Sequence, residues 1–169
     1  MLTNLTQEKL KEYFHYDEST GNLINLTQRS NSIKIGAVAG GLDAYGYVRI
    51  RVDGTDYKAH RLVWVYVQGN WPEDQIDHIN GIKTDNRICN LREATDQENK
   101  QNISKPRKDN TSGFLGVSFR ADRQKWRALI SHNGRYIHLG HFHTPEEACM
   151  AYKKAKCFYH PFYNKENTQ

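Results

Sequence analysis

Asp77 and His78 are adjacent in the chain, and Asn90 and Asn99 follow 13 and 22 residues after Asp77. An ordinary imidazole is largely unprotonated near neutral pH, so His78 can act as a general base. The carboxylate of Asp77 and the side-chain carbonyl of Asn99 are hard oxygen ligands, which suit Mg²⁺ or Mn²⁺ better than zinc. Hydrolysis of a phosphodiester requires these two components, a base that activates water and a positive centre that stabilises the leaving oxygen.

The elements that would position these side chains form a β-β-α pattern. Residues 75–79 and 90–94 are strand-like segments that flank a loop. A capping box at residues 95–98 then starts a helix, and this helix carries Asn99. We therefore expect two strands and one helix to surround the candidate residues.

Asp77 and His78 can serve one site only if their strand ends or bends there, because adjacent residues of a strand point to opposite faces. The Asn80-Gly81 pair predicts a turn at that place. We expect Asn90 to have a supporting role, either holding the loop or orienting the His78 ring through its other nitrogen.

Three motifs carry a resemblance to a known family: IDHING at residues 76–81, NRICNLR at 86–92 and NKQN at 99–102. Together they closely resemble the homing branch of the HNH endonucleases, over about residues 58–102. Members often have His at the last motif position, where this chain has Asn99. The resemblance implies a ββα-metal fold that cuts double-stranded DNA with one divalent ion, Mg²⁺ or Mn²⁺, per site. It also implies the roles of four residues: Asp77 and Asn99 as metal ligands, His78 as general base and Asn90 as the middle asparagine.

The C-terminal third predicts a three-stranded sheet followed by one helix. The predicted strands are residues 117–120, 126–131 and 135–139. Asn133-Gly134 is a strong type I′ hairpin turn, and a second capping box at residues 144–147 starts the helix. The motifs SGFLGVSFR, KWRALI, IHLGHF and TPEEA resemble the AP2 DNA-binding domain, over about residues 110–158. This resemblance implies that the sheet lies in the major groove of DNA.

Strand alternation divides the side chains of this sheet between two faces. Facing the helix we expect Val117, Phe119, Trp126, Ala128, Ile130, Ile137 and Leu139. On the open face we expect the DNA-contacting residues Arg120, Arg127, Tyr136 and His138. The alternative is an open face that is only a polar, solvated surface.

The charge distribution supports a polyanionic partner for the C-terminal third. Residues 1–100 carry 12 basic and 14 acidic side chains, whereas residues 101–169 carry 12 basic and 5 acidic ones. The segment between the two resemblances contains Lys105, Arg107 and Lys108 and has no apolar periodicity. We expect these three residues to follow the DNA backbone, with a solvated tether as the alternative.

The first hundred residues contribute four more candidates for DNA contact: Arg49, Arg51, Arg61 and Arg92. Arg49 and Arg51 share the outer face of a predicted strand at residues 47–52, after which Asp53-Gly54 predicts a hairpin turn. The outer face of this strand could equally be solvated. Arg61 and Arg92 could bind phosphate, or could pair with carboxylates such as Asp85 or Glu93. For His60 we favour a structural role.

The composition favours small modules, because only 37% of the residues are hydrophobic. We expect an α+β protein: an N-terminal helix and β-hairpin region (1–58), a nuclease core (59–102), a basic linker (103–112) and an AP2-like domain (113–160). No apolar run is long enough to span a membrane and no signal peptide is present, so we expect a cytoplasmic protein without a membrane partner. Three widely separated cysteines predict reduced, mostly buried thiols.

These features together favour a site-specific endonuclease of the homing type that nicks one strand, leaving 5′-phosphate and 3′-hydroxyl ends. We expect a monomer, with a dimer as the alternative. A sequence-specific regulator with an inactive nuclease fold is the rival hypothesis, and a non-specific defence nuclease is a third.

Overall fold

The computed structural model describes residues 5–103 and 105–163. The chain divides into two compact units, residues 1–96 and 97–169. In the described ranges the helices are α1 (Gln7–Tyr13), α2 (Ala59–Gln68), α3 (Asp96–Gln101) and α4 (Pro145–Tyr159). The strands are β1 (Phe14–Asp17), β2 (Asn22–Asn25), β3 (Gly41–Leu42), β4 (Val48–Val52), β5 (Thr55–Lys58), β6 (Gln75–His78), β7 (Leu91–Ala94), β8 (Val117–Arg120), β9 (Lys125–His132) and β10 (Arg135–Phe142). No helix within these ranges has the length and apolar character needed to cross a bilayer.

The first unit contains three small antiparallel sheets, β1-β2, β3-β4-β5 and β6-β7. The turn between β4 and β5 is formed by Asp53 and Gly54, whose φ angles are 48° and 81°. Positive φ at both central residues is the type I′ geometry that matches the twist of a hairpin. The predicted Asp-Gly turn is therefore confirmed, and it pairs Val52 with Thr55.

Helix α2 supplies the centre of the first unit's core. Leu62, Val63 and Val65 are almost completely buried and pack in one cluster with Leu10 and Phe14 of the α1 and β1 segment. The helix ends because the next residue, Gly69, adopts φ 86° and donates its N–H to the Val65 carbonyl. Ile76 of β6 and Leu91 of β7 belong to the same cluster, so the core links α2 to the strands that carry the candidate residues.

The second unit is a three-stranded antiparallel sheet, ordered β10-β9-β8, with α4 packed on it. Helix α4 begins at the predicted capping box, in which the Thr144 side chain accepts from the Glu147 N–H and the Glu147 side chain accepts from the Thr144 N–H. Ala128 of β9 and Ala148 of α4 are fully buried between helix and sheet. The Asn133-Gly134 turn is also confirmed, with φ angles of 49° and 74°.

Strand β10 contains an irregularity that simple alternation does not predict. The pairing shifts between His138 and Gly140, so Leu139 is an extra residue relative to β9. Beyond the shift, His141 lies opposite Arg127.

The predicted mixture of small sheets and short helices is confirmed, but two finer expectations are wrong. Phe119 is not a core residue: it is 45% exposed, and its ring contacts that of Trp126 at a centroid distance of 5.1 Å. The cysteines are free but not mostly buried, because Cys89 and Cys157 are exposed and Cys149 alone of the three is buried. The apolar character of these residue types predicted burial, but Phe119, Cys89 and Cys157 lie at the surface.

The turn between β1 and β2 makes a close backbone approach at Gly21. This glycine has φ 77°, and a Cβ placed on it would lie 2.4 Å from the Arg87 nitrogen and 2.5 Å from the Asn86 carbonyl carbon. A side chain cannot fit there unless backbone moves, because real Cβ contacts are longer. The N-terminal hairpin therefore packs directly on the segment at residues 86–87.

Gly21→Ala is expected to destabilise the protein by at least about 4 kcal/mol, since it combines a left-handed backbone conformation with a backbone collision. Gly36→Ala is the matched control, because Gly36 has φ 79° and open space around it. The control is expected to lose only about 1–2 kcal/mol. Urea denaturation measures both, and equal losses would contradict the packing described here.

Candidate active site

Asp77 is held by an ion pair across the β6-β7 ladder. It lies directly opposite Arg92, and its side chain is largely buried. The Arg92 Nε and Nη2 atoms donate to the Asp77 Oδ2 atom at 3.0 and 2.8 Å. This charge-assisted, two-pronged contact fixes the carboxylate at the end of β6.

His78 is the last residue of β6 and is buried. Its Nε2 atom lies 3.1 Å from the Asn86 Oδ1 atom. Since that amide oxygen accepts a hydrogen bond, Nε2 carries the proton in the neutral ring and Nδ1 carries the lone pair. Burial lowers the pKa of His78 below its ordinary value, although the Asn86 contact acts in the opposite direction. His78 is thus a neutral imidazole with a defined basic nitrogen.

Asn90 holds the loop between His78 and the 3₁₀ turn at Ile88–Asn90. Its Oδ1 atom accepts from the Asn80 N–H at 2.9 Å, and its Nδ2 atom donates to the Asp85 carbonyl at 2.8 Å. Asn80 also donates from Nδ2 to the Asp85 carboxylate at 2.7 Å. Of the two supporting roles expected for Asn90, these contacts correspond to holding the loop, whereas the His78 ring is bound by Asn86.

Asp85 is the charged centre of the same loop. It accepts from Arg87 Nε at 2.8 Å and from Arg87 Nη2 at 2.6 Å. The Arg87 contact, followed by that of Asn80, lowers the pKa of Asp85 to about 2. The loop on both sides of Asn86 is therefore fixed by fully ionised groups.

Two aromatic residues pack on the His78 ring. The His60 ring, from the first turn of α2, lies edge-on to it at a centroid distance of 5.0 Å, and the Tyr47 ring lies at 6.0 Å. His60 is buried, and burial, reinforced by the charges of His78 and Arg61, lowers its pKa to about 3. It is consequently neutral at physiological pH and packs against the candidate base without adding charge.

Asn86 is the residue that sequence reasoning missed, although it is the first letter of the NRICNLR motif. Its side chain binds His78, while its backbone carbonyl accepts from the Tyr16 hydroxyl at 3.4 Å. The same hydroxyl accepts from the Ile88 N–H at 2.9 Å. Its position at the start of the motif was the only signal in the sequence, because Tyr16 and Gly21 are some seventy residues away.

Asn99 lies on α3, in the second unit. Its pairing with Asp77 as a metal ligand stays a prediction. Within the described ranges, no group of three or more His, Cys, Asp or Glu side chains could hold a metal ion.

Arg49, Arg61 and Arg92, three of the four candidate DNA-contacting arginines of the first unit, have intramolecular partners. Arg49 pairs with Asp56 at 3.1 Å, and Arg61 donates to the Asp74 carbonyl at 3.2 Å. The alternative expected for Arg92, pairing with a nearby carboxylate, is found with Asp77. Asp85 pairs with Arg87, and Glu93 accepts from the backbone N–H groups of residues 73 and 74. Arg51 is exposed.

The open face of the second unit's sheet carries the predicted polar residues. Arg120 pairs with Asp122 at 3.0 Å, Arg127 donates to the Ser118 hydroxyl at 3.4 Å, and Tyr136 is 78% exposed. The rings of His138 and His141 lie 4.6 Å apart. Simple alternation would have placed His141 on the helix-facing side, but the register shift in β10 puts it on the open face with His138.

Three linker residues predicted to contact DNA are exposed: Lys105, Arg107 and Lys108.

Comparison with known proteins shows which family the chain belongs to. The family profile described as HNH endonuclease matches residues 57–101, which contain the Asp77-His78 pair, Asn90 and Asn99. Protein 3.8 of Escherichia phage T7 is 39% identical over 83 residues, which are 47% of this chain and 68% of that protein. The chain belongs to the HNH endonuclease family. The HNH match begins in β5 and ends with α3, so it leaves out the N-terminal hairpin that packs on Asn86. No solved structure matches the chain significantly.

The burial of His60 has a measurable consequence for stability. Its pKa is about 3 in the folded HNH protein and returns to about 6.5 on unfolding, so the unfolded chain binds more protons between these values. Stability is therefore expected to fall as the pH is lowered through this window, and His60→Gln is expected to make the fall shallower. Urea denaturation across the window measures the slope. His15→Gln, at an exposed position, is the control and is expected to keep the wild-type slope.

A His60→Gln slope equal to that of the wild type would contradict this account. Asp43 and Asp85 do not interfere with the comparison. Their pKa values are lowered to about 2 from an ordinary 3.8, so they titrate mainly in the acidic part of the window and equally in both proteins.

Proposed function

We propose that this chain is a metal-dependent DNA endonuclease in which His78 is the general base. The observation that carries the proposal is the buried contact between His78 Nε2 and Asn86 Oδ1, next to the fixed carboxylate of Asp77. A metal-dependent nuclease requires a neutral base next to a negatively charged metal ligand. These two ionisation states are difficult to combine at one site. Here burial favours the neutral form of His78, and the neighbouring Asp77 carboxylate is held by Arg92.

His78 would take a proton from the attacking water at its Nδ1 atom. The contact from Nε2 to Asn86 keeps the ring in the tautomer that leaves Nδ1 basic and prevents it from rotating. The positive charge that develops on the ring would then be stabilised by the Asn86 amide oxygen and by the nearby Asp77 and Asp85 carboxylates. Asn86 is a positioning residue in this mechanism.

The donor groups of this chain fit a hard divalent ion. Asp77 contributes a buried carboxylate, and the proposed second ligand, Asn99, contributes an amide oxygen. Mg²⁺ is usually bound by one or two carboxylates and keeps several waters, so it does not need a cluster of three acidic or imidazole groups. A bound Mg²⁺ or Mn²⁺ would supply positive charge beside the scissile phosphate and the leaving oxygen.

The finer activity proposed is that of a site-specific homing endonuclease with a ββα-metal core. The protein would hydrolyse one phosphodiester of double-stranded DNA to 5′-phosphate and 3′-hydroxyl ends. With one His78 per chain, a monomer would nick a single strand, and two nicks would need a dimer or successive events. The second unit would act as an AP2-like DNA-binding domain through Arg120, Arg127, Tyr136 and His138. The net positive charge of residues 101–169 supports a role in binding DNA.

His78→Ala is expected to reduce the rate of plasmid nicking by about 10²- to 10⁴-fold, the usual contribution of a general base. Asp77→Ala is expected to abolish nicking at the same Mg²⁺ concentration, and EDTA is expected to stop the wild-type reaction until Mg²⁺ or Mn²⁺ is added. His15→Ala, at an exposed residue of β1, is the control and is expected to nick normally. Plasmid relaxation on agarose gels measures the rates.

DNA binding without any nicking would instead favour the regulator with an inactive nuclease fold. Nicking that survives both His78→Ala and Asp77→Ala would overturn the assignment of these residues. Sequencing the ends of cut random DNA tests the finer proposal, because a homing-type enzyme is expected to cut at a preferred sequence.

Asn86→Ala is expected to lower the nicking rate by at least about tenfold, since the His78 Nε2–H loses its buried acceptor. The effect is expected in kcat rather than in KM, because Asn86 is buried and acts through His78. Asn86→Asp keeps an acceptor oxygen and is expected to recover part of the rate. Steady-state nicking of a labelled duplex separates the two constants, and an unchanged kcat for Asn86→Ala would refute the positioning role.

A further inference from the structure

A rigid turn presents an exposed tyrosine next to the candidate active site. In the turn between β3 and β4, the Asp43 carboxylate accepts from the N–H groups of Tyr45 and Tyr47 at 2.8 and 3.0 Å. Two backbone hydrogen bonds, from the Asp43 N–H to the Tyr47 carbonyl and from the Gly46 N–H to the Asp43 carbonyl, close the same turn. The Tyr45 side chain is nevertheless 76% exposed. A fixed turn therefore holds a large aromatic ring in solvent.

Two lysines pack around this turn. The Lys83 Nζ atom donates to the Tyr45 carbonyl at 3.0 Å and lies 4.6 Å from the centre of the Tyr47 ring. The Lys58 Nζ atom lies 5.0 Å from the centre of the Tyr47 ring and is bound to the Asp43 carboxylate. Lys58 is thus neutralised by an acidic partner. The contacts of Lys83, within the ranges that the structure describes, are a carbonyl and a ring face, so its positive charge is not compensated.

This surface adjoins His78. The Tyr47 ring connects the two, since it contacts Lys83 and also lies 6.0 Å from the His78 ring. Lys83 also belongs to the loop that follows β6, so the strand that ends at His78 places the lysine. A DNA strand whose phosphate reaches His78 would pass this exposed lysine and the Tyr45 ring.

We propose that Lys83 and Tyr45 form a contact for the DNA strand that is cut, beside the scissile phosphate. Lys83 binds a neighbouring backbone phosphate, and the Tyr45 ring packs on the sugar of the adjoining nucleotide. Both contacts are to the backbone, so they contribute affinity and register independently of base sequence. The inference rests on the proposed function, because it places the substrate of that same site.

The experiment measures duplex DNA binding by fluorescence anisotropy with EDTA present, so that no cleavage occurs. Loss of one phosphate contact reduces the slope of log K against log salt by about 0.9. Lys83→Gln is expected to show this reduction. Lys34→Gln, at an exposed lysine outside the β3-β4 turn, is the matched control and is expected to keep the wild-type slope.

Tyr45→Ala is expected to weaken binding by about tenfold with an unchanged salt slope, because packing on a sugar releases no counterions. Tyr45→Phe keeps the ring and is expected to bind like the wild type. All four substitutions are at exposed positions, and matching urea denaturation midpoints would show that they fold normally.

The outcomes separate this inference from the function on which it rests. If the wild type nicks DNA but Lys83→Gln keeps the full salt slope, the phosphate contact is refuted and the nuclease assignment stands. Equal affinities for Tyr45→Ala and the wild type would refute the sugar contact. A wild-type chain that does not bind duplex DNA would overturn the proposed function and this inference together.

Discussion

The buried hydrogen bond between His78 and Asn86 is the constraint on which the rest of the first unit depends. A buried imidazole is useful as a base only if one nitrogen has an acceptor and the other keeps its lone pair. The acceptor here is a side chain on a loop, and loops do not hold such positions by themselves. Asn90, Asp85 and Tyr16 each bind the loop or the backbone near Asn86, so they act on the candidate base without touching it.

The carboxylates and the imidazole around this bond have different surroundings. Asp77 and Asp85 each have an arginine partner, Arg92 and Arg87 respectively. His78 is instead packed between rings, in a setting that disfavours the imidazolium. One small region therefore places arginine-paired carboxylates beside a neutral nitrogen, which is the combination that metal-assisted hydrolysis requires.

Local signals in the sequence predicted much of the fold, whereas contacts between distant segments could not be predicted. The Asp53-Gly54 and Asn133-Gly134 turns and the Thr144 cap depend on neighbouring residues, so the sequence was sufficient to find them. The register shift at Leu139 and the exposure of Phe119 depend on how a strand meets its neighbours. The role of Asn86 likewise depends on a hairpin some seventy residues earlier, which one sequence cannot reveal.

The close approach at Gly21 also affects how the HNH segment can be transferred from this chain to another protein. The segment that matches the family, residues 57–101, contains His78, Asn86 and Asn90 but neither Gly21 nor Tyr16. Grafted alone into another scaffold, it would carry the candidate site residues without the hairpin that packs beside Asn86. The transferable unit of this chain is therefore longer than its sequence motif and begins at the first strands of the N-terminal region.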